Sequence, residues 1–282
     1  MKIAYLLPAP GIPVQGPSGA SAHARGIVRA LRQAHAVRLW AAKIEDRRGC
    51  FGEVVGARAV GVPGWPSWLA PYREITEVLA ARRLVRGVLD AAGAGWTPDR
   101  ILERHTLFSD AGWRLHDRLG VPWALEVNAP PVQERQRFEV VRQPAWAQRW
   151  ERAVLQAAPT IFAVSRWLVR WLREDVGCDN VHWVPNGVDV RAGDRVRGRL
   201  RLGVSEGEPV VGFVGSMKPW HGVDRLAAIA ERSGARLALI GPRPPDPPAD
   251  AIVTGHLLPG DLADVIAGLD VGLAPYPADA PP

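Results

Sequence analysis

The stretch MKIAYLLPAPGIPVQGPSGASAHARGIVRAL, residues 1–31, carries the alternation on which the fold of this chain depends. Its apolar run Ile3–Leu7 predicts a short buried strand, which Pro8 ends. A loop rich in glycine, proline and serine follows over residues 8–19, and a helical pattern follows over Ala20–Ala34. The segment therefore predicts a parallel-sheet strand that passes through a loop into a covering helix.

The same alternation recurs along the rest of the chain. It predicts strands at further short apolar runs: Val37–Ala41, Val54–Val60, Arg100–Glu103, Trp123–Val127, Thr160–Val164, Val181–Val184, Val210–Val214, Arg236–Ile240, Ile252–Val253 and Val271–Ala274. It predicts helices between them: Ile75–Leu89, Ala111–Leu119, Gln133–Ala157 with an interruption near Pro144, Arg166–Val176, Val223–Arg232 and Leu262–Gly268. This order is typical of two doubly wound α/β domains with parallel sheets, which we expect to meet near residues 185–200.

The two parts of the chain differ in composition. Of the net charge of +6, residues 1–190 hold +7 and residues 191–282 hold −1, and eleven of the twelve tryptophans precede residue 190. We interpret this as two domains with different partners, the basic one suited to anionic lipid, nucleic acid or a phosphorylated substrate. The cysteines Cys50 and Cys178 have no metal-ligand spacing, which favours a reduced cytoplasmic setting. No targeting segment or membrane-spanning run is predicted.

The loop after the first strand is the first candidate binding site. Gly16 and Gly19 allow close backbone approach, and Ser18 or Ser21 is suited to cap the helix that follows. Free N–H groups there would hold a phosphate or a sugar hydroxyl. The GxGxxG fingerprint is missing, so NAD binding is disfavoured. A flexible surface loop is an equally good interpretation of this segment.

The string GFVGSMKPWHG, residues 212–222, is the second candidate site. Gly215 permits a tight turn after a strand, Lys218 supplies a cation, and the predicted helix offers its N-terminus. Together these features favour a diphosphate site, although the spacing is not that of a Walker loop.

Polar residues also follow two predicted strands of the first half. Glu103, Arg104 and His105 end one strand, and Glu126 and Asn128 end the next. Carboxylate, amide and imidazole groups there could bind sugar hydroxyls or handle a proton. We favour function for Glu126 and Asn128, which are the candidate catalytic residues, and a satisfied structural role for His105.

Taken in order, these strings resemble a known family. They are MKIAYLLPAPGIPVQGPSGASAHARGIVRAL, ILERHTLFSDAG, LEVNAPPVQER, VPNGVD, GFVGSMKPWHGV and DVGLAPYP. The chain resembles the family-4-type retaining, nucleotide-sugar-dependent glycosyltransferases of the GT-B fold. The resemblance implies two Rossmann-like domains: an acceptor-side domain at 1–185 and a partial nucleotide-sugar-binding domain at 186–282. It implies hexosyl transfer, as in polysaccharide biosynthesis, from a nucleoside-diphosphate sugar to a saccharide or lipid-linked acceptor.

The resemblance also implies roles for individual residues. The acceptor or phosphate loop would be Gly16, Ser18 and Gly19. The donor diphosphate would meet Gly215, Ser216, Lys218, His221 and Gly222. The cleft would include Arg104, His105, Asn186 and Gly187. No metal and no other cofactor is expected. Ser216 and His221 stand where many relatives have Arg and Lys, and Asn128 stands where many have His.

The sequence printed ends at Pro282, before the Glu-x7-Glu motif that the resemblance leads one to expect. We therefore expect a second domain that is incomplete and an activity that is weak or absent. Two alternatives stay open: a truncated, non-catalytic protein that binds acceptor or partner, and a nucleotide-sugar epimerase. Nucleic-acid binding is disfavoured because no recognition motif is present.

Tryptophan and arginine clusters raise the hypothesis of peripheral contact with an anionic membrane. One cluster is Trp65, Trp68, Leu69, Tyr72 and Arg73, and the other is Arg166, Trp167, Arg170, Trp171 and Arg173. The spacing of Trp167 and Trp171 is equally that of a core-facing helix side. The expected location is the cytoplasm, at the inner face of the cell membrane.

Overall fold

The computed structural model describes residues 1–46, 49–60, 73–138, 140–218 and 221–275. The chain divides into two compact units, which run from Met1 to Val188 (unit 1) and from Asp189 onward (unit 2). The division predicted from the sequence lies between residues 185 and 186. None of the described helices combines the length and apolar character needed to cross a membrane.

The described residues of unit 1 form a parallel sheet of seven strands. The strands are β1 (Lys2–Leu7), β2 (Ala36–Ala41), β3 (Arg58–Ala59), β4 (Arg100–Arg104), β5 (Trp123–Val127), β6 (Ile161–Ala163) and β7 (Val181–Trp183). Their order across the sheet is β3-β2-β1-β4-β5-β6-β7, and every pairing is parallel. The helices are α1 (Gly19–Leu31), α2 (Arg73–Gly93), α3 (Ala111–Leu119), α4 (Pro131–Phe138), α5 (Pro144–Ala157) and α6 (Arg166–Trp171). This confirms the predicted doubly wound α/β architecture.

Strand β1 lies in the middle of this sheet and is buried on both faces. Its residues Ile3, Tyr5 and Leu7 belong to the core on one face, and Ala4 and Leu6 belong to the core on the other. Alternate residues of a strand point to opposite faces, so two-sided burial requires an uninterrupted apolar run. That requirement explains why the sequence of this segment predicts a strand. Tyr5 carries the one hydroxyl group of the strand.

Glu103 is a fully buried carboxylate at the end of β4. Its Oε1 accepts a hydrogen bond from Ser109 Oγ at 2.5 Å, and its Oε2 accepts one from the Gly112 backbone N–H at 2.8 Å. Gly112 lies in the first turn of α3, so the carboxylate satisfies an N–H that the helix itself cannot pair. Burial raises the pKa of Glu103 to about 7, despite the opposing effect of these two hydrogen bonds.

Two predicted elements of unit 1 differ from the structure, and a third is confirmed. The predicted strand Val54–Val60 is reduced to the two residues of β3. The predicted interruption of the helical stretch Gln133–Ala157 near Pro144 is confirmed: α5 begins at Pro144, which suits a first-turn position because its missing N–H would be unpaired there in any case. Helix α6 continues into a π-helical turn over Leu172–Val176.

Unit 2, as described, contains a parallel sheet of four strands. They are β8 (Val210–Val214), β9 (Arg236–Ile240), β10 (Ile252–Val253) and β11 (Val271–Gly272), in the order β10-β9-β8-β11. The helices are α7 (Arg195–Leu202), α8 (Leu226–Ser233) and α9 (Pro259–Gly268), and a 3-10 turn over Val223–Arg225 precedes α8. The predicted helix over Val223–Arg232 is therefore a 3-10 turn followed by an α-helix.

Helix α7 was not predicted, and its contacts explain why. Its backbone packs directly against the backbone of α9, since a Cβ on Gly198 would lie 1.9 Å from the Asp264 carbonyl oxygen. Its Arg199 is buried and donates to the Gly268 carbonyl at 3.1 Å, while Arg195 Nη2 pairs with Asp270 Oδ1 at 2.5 Å. A polar segment with an internal glycine has little helical signal of its own, so these contacts with α9 and its flanking residues stabilise the helix.

Because the folded state holds the Glu103 proton more tightly than the unfolded chain does, this group makes folding less favourable as pH rises. Its contribution is complete below the ordinary pKa of 4.5 and is lost as pH passes through about 7. We expect Glu103→Gln to remove this component, which amounts to about 3 kcal/mol between pH 4 and pH 8. Urea unfolding across that range measures it, with exposed Glu45→Gln as the control. Parallel pH profiles for the natural chain and Glu103→Gln would contradict the assignment.

Candidate functional site

The carboxyl edge of the unit 1 sheet holds a cluster of polar side chains at its topological switch point. Strands β1 and β4 are neighbours there, and the chain continues from β1 to one side of the sheet and from β4 to the other. Doubly wound sheets bind their ligands in the crevice at such a point. The cluster is defined by five residues: Tyr5, His23, Arg104, Glu126 and Asn128.

Glu126 is the centre of this cluster. Its Oε2 accepts a hydrogen bond from Tyr5 Oη at 3.2 Å. Its Oε1 accepts one from Asn128 Nδ2 at 2.6 Å and forms a short hydrogen bond with His23 Nε2. Arg104 Nη1 lies 3.7 Å from the same oxygen. Both carboxylate oxygens are thus engaged by groups from four different parts of unit 1.

These contacts decide the charge of the cluster. Burial alone would raise the pKa of Glu126, but the hydrogen bond from His23, the charge of Arg104 and the Asn128 amide together hold that pKa below its usual value. Burial and the neighbouring Glu126 carboxylate raise the pKa of Tyr5 well above its usual value. At neutral pH Glu126 is therefore ionised, and Tyr5 keeps its proton and donates it.

The hydrogen bond to Glu126 fixes the orientation of the His23 imidazole ring. Because Glu126 is a carboxylate, His23 Nε2 is the donor in their hydrogen bond, so Nδ1 is the nitrogen that accepts a hydrogen bond when the ring carries a single proton. The His23 side chain is 15% exposed, against 6% for Glu126, so the ring is the more accessible partner. A carboxylate that fixes the tautomer of a histidine prepares it to accept a proton from a hydroxyl.

Arg104 and His105 lie next to each other at the end of β4, and both are nine-tenths or more buried as side chains. The His105 backbone N–H donates to the Glu126 carbonyl at 2.8 Å, which places its ring beyond the strand end. Within the described part of the chain, neither His105 ring nitrogen has a hydrogen-bond partner, and Glu151 Oε1 lies 3.9 Å from Nε2. The prediction of a satisfied structural histidine is therefore wrong with respect to its hydrogen bonding.

The loop between β1 and α1 is ordered by its own residues. Ser18 is the N-cap of α1 and its side chain accepts from the Ser21 N–H at 3.1 Å, which settles which serine caps the helix. A Cβ on Gly16 would lie 2.8 Å from Pro13 Cγ and 2.9 Å from Ser21 Oγ, whereas a Cβ on Gly19 would meet nothing within 4 Å. Gly16 is thus a packing requirement, and Gly19 borders open space at the helix N-terminus.

In unit 2 the loop after β8 carries the second predicted site. Met217 has a φ of +54° and Gly222 a φ of +68°, so the loop turns sharply at both positions. The Lys218 N–H donates to His221 Nδ1 at 3.3 Å, and the His221 N–H returns a bond to the Lys218 carbonyl at 2.9 Å. Burial and the charge of Lys218 lower the pKa of His221, so this imidazole is neutral at neutral pH with its proton on Nε2.

The other predicted site residues lie before Lys218 in this loop and in the segment after β7. Gly215 donates its N–H to the Ile240 carbonyl at 3.0 Å, and Ser216 follows it directly. Asn186 and Gly187 are exposed in the segment after β7. The roles of all these residues stay predictions.

Tyr5 and His23 belong to the cluster although the sequence motifs do not predict them as site residues. A hydroxyl in a strand that is otherwise aliphatic was the available signal for Tyr5, and a polar residue in the second turn after a glycine loop was the signal for His23. Within the described ranges, His, Cys, Asp and Glu side chains nowhere gather in a group that could hold a metal ion. The absence of a metal cofactor stays a prediction.

Three comparisons place this geometry among known proteins. The family model Glycosyltransferase Family 4 matches residues 17–192. The GDP-mannose-dependent alpha-mannosyltransferase of Mycobacterium tuberculosis (strain CDC 1551 / Oshkosh) is 30% identical over 188 residues, which are 63% of this chain and 49% of that protein. The chain thus spans about half the length of this curated relative.

Solved structures agree on the fold. Sucrose-phosphate synthase of Thermosynechococcus elongatus superposes with a TM-score of 0.73 at 18% identity, over 98% of this chain and 75% of that one. Anabaena HepE, solved in complex with UDP-glucose, gives a TM-score of 0.62 at 16% identity, over 96% of this chain and 73% of that one. Similarity at this level shows the GT-B class of fold, with its two Rossmann-like sheets. With the family model covering well over half of its residues, this chain belongs to glycosyltransferase family 4.

Proposed function

We propose that the chain is a hexosyltransferase that moves a sugar from a nucleoside-diphosphate donor to an acceptor hydroxyl with retention at the anomeric carbon. The observation that carries the proposal is the ionised Glu126 with its oriented His23 at the switch point of a family-4 chain. The mannosyltransferase relative is named for GDP-mannose and HepE was solved with UDP-glucose, which supports a nucleotide-sugar donor. The proposed acceptor is a saccharide or a lipid-linked saccharide, and the proposed setting is the cytoplasm.

In unit 1, the Glu126 cluster would bind and orient the acceptor. Glu126 is a weak base, because its pKa is lowered and both its oxygens are engaged. We therefore assign it the orientation of His23, and assign to His23 Nδ1 the acceptance of a hydrogen bond from the acceptor hydroxyl. Arg104 and Asn128 would contact further hydroxyls, and Ser18 and Gly19 would present backbone N–H groups. The Gly16 N–H already donates to the Pro13 carbonyl at 3.0 Å, so Gly16 would shape the loop.

In unit 2, Lys218 would stabilise the departing diphosphate. As the bond between the anomeric carbon and the diphosphate oxygen breaks, negative charge accumulates on the leaving group, and a preorganised cation lowers the energy of that state. The Nε2–H of His221 and the backbone N–H groups of Ser216 and Gly222 would add hydrogen bonds to the same phosphates. Gly215, whose own N–H donates to the Ile240 carbonyl, would shape the turn beside them.

The decisive experiment offers the purified chain GDP-mannose or UDP-glucose, with and without a saccharide acceptor, and follows products by NMR. We expect glycoside with the anomeric configuration of the donor. Glycoside of inverted configuration contradicts retention. A new nucleotide sugar formed without acceptor would indicate the epimerase, and donor binding without product would indicate the non-catalytic alternative. The expectation of weak turnover stays a prediction that the same assay measures.

Replacing the proposed leaving-group cation tests the donor site. We expect Lys218→Met to weaken binding of the preferred nucleotide sugar by about tenfold or more, since a hydrogen bond to a charged group contributes roughly 1.5–3 kcal/mol. Isothermal titration calorimetry measures the change. Arg232→Met, which removes an exposed cation from the last turn of α8, is the matched control. Equal affinities for the two variants would exclude Lys218 from the site.

Removing the charge of Glu126 tests the acceptor site. We expect Glu126→Gln to lower kcat/KM for the acceptor by about 10²-fold, the lower end of what a positioned proton acceptor contributes, while donor affinity stays the same. Asp117→Asn, at an exposed position of α3, controls for the loss of one acid. An unchanged kcat/KM in Glu126→Gln would contradict the role given to the cluster.

We also propose peripheral contact with an anionic membrane through an exposed patch formed by Arg166, Trp167 and Trp183. Trp167 is 40% exposed and Trp183 is 48% exposed, and the Arg166 guanidinium lies 4.4 Å from the centre of the Trp183 ring. Trp171 is buried beneath Trp167, so only part of the predicted cluster is available. The other cluster, Trp65, Trp68, Leu69 and Tyr72 with the Arg73 side chain, lies outside the described residues.

Vesicle co-sedimentation tests this patch. We expect the chain to bind phosphatidylglycerol vesicles better than phosphatidylcholine vesicles. Replacing Trp167 and Trp183 by Ser should weaken that binding about 10²-fold or more, because each of the two aromatic side chains contributes roughly 1.5–3 kcal/mol when buried. Val55→Ser, which alters another exposed apolar residue of unit 1, is the control. No preference for the anionic vesicles would refute membrane contact.

A further inference from the structure

Arg25 of α1 forms hydrogen bonds with the loop between β1 and α1 and has no part in the proposed chemistry. Arg25 is 8% exposed, and its Nη1 donates to the Val14 carbonyl at 2.6 Å and to the Gly16 carbonyl at 2.8 Å. A buried guanidinium needs acceptors, and loop carbonyls need donors when they turn away from water. The two requirements are met by one contact, which sets the path of the loop at Val14 and Gly16.

The segment after β2 holds the same loop from its other side. The Val14 N–H donates to the Lys43 carbonyl at 3.1 Å, and the Gln15 N–H donates to the Ile44 carbonyl at 2.9 Å. Further along this segment, the Phe51 N–H donates to the Gln15 carbonyl at 2.9 Å. The loop is therefore an ordered part of unit 1, which contradicts the alternative of a flexible surface loop.

Gly52 makes room for the arginine. A Cβ at Gly52 would lie 2.9 Å from Arg25 Nε and 3.2 Å from Arg25 Cδ, and the residue has a φ of +146°. A side chain there would press on the guanidinium and strain the backbone. Gly49 in the same segment has a φ of +114°, but a Cβ on it would meet nothing within 4 Å.

We propose that Arg25 is a positioning residue that holds the β1–α1 loop in its ligand-binding conformation before any ligand arrives. His23 and Arg25 belong to one helix, so the same element that turns His23 toward Glu126 also sets the path of Gly16. A loop that is already ordered loses less conformational entropy when a phosphate or hydroxyl binds to it. The identity of that ligand rests on the proposed function, whereas the ordering of the loop does not.

Hydrogen–deuterium exchange of the full chain tests the proposal directly. We expect Arg25→Met to speed exchange of the Val14 and Gln15 N–H groups by about tenfold or more, because the loss of bonds from a charged donor permits local opening. Arg25→Lys, which keeps a donor, should restore part of the protection. Arg82→Met, at an exposed position of α2, is the control. Loop exchange that is unchanged in Arg25→Met, or accelerated equally across the whole of unit 1, would overturn the proposal.

A pair of glycine variants tests the same contact without removing the arginine. Gly52→Ala and Gly49→Ala both place a side chain at positive φ, but only the former meets Arg25. We expect faster exchange at Val14 and Gln15 in Gly52→Ala alone. Equal exchange in the two variants would show that the loop does not depend on the position of the guanidinium.

Calorimetric titration with GDP-mannose and with UDP-glucose tests whether Arg25 affects the affinity for a ligand. If the natural chain binds either compound, we expect Arg25→Met to bind it about tenfold more weakly, and equal binding would refute the positioning role. If the natural chain binds neither, the result counts against the proposed function. The exchange measurements then decide the role of Arg25 by themselves.

Discussion

The buried charge of Glu126 at the carboxyl edge of the unit 1 sheet constrains everything around it. A carboxylate that is withdrawn from water is tolerated only where charges and hydrogen-bond donors replace its hydration. Its partners lie in or next to three strands and one helix. They are Tyr5 in β1, Arg104 at the end of β4, Asn128 directly after β5 and His23 in α1. The imidazole of α1, the hydroxyl in β1 and the guanidinium at the end of β4 each meet this requirement.

Helix α1 transmits that constraint to the glycine-containing loop before it. Its N-cap Ser18, its His23 and its Arg25 make separate contacts within two turns, with the helix N-terminus, the Glu126 cluster and the loop carbonyls respectively. One rigid element therefore sets both the orientation of an imidazole and the path of the loop. Sites held in this way by secondary structure are ordered more closely than sites built from loops alone.

Unit 2 depends on a different constraint, the close approach of two helix backbones. Gly198 of α7 and Gly268 of α9 lie against each other with no room for a side chain. The buried Arg199 of α7 adds a hydrogen bond to the Gly268 carbonyl. Helix formation in α7 is thus a consequence of packing rather than of propensity, because four arginines and a glycine in eight residues give no apolar face. This is the element that local sequence patterns missed altogether.

Much of the fold was determined by the sequence alone. The bounds of five elements were predicted as observed: α3, β5, β8, β9 and β10. Their apolar runs and glycine or proline ends reflect burial on both faces of a sheet, a requirement that acts within a few residues. Glu126, Asn128 and Arg104 could also be found, because parallel strands bring their carboxyl ends to one edge. Only the tertiary structure decided that Tyr5 and His23 complete this cluster and that α7 is a helix. It also decided that the buried His105 ring has no hydrogen-bond partner among the residues the structure describes. These outcomes depend on contacts between residues up to 121 positions apart, and no local pattern records such contacts.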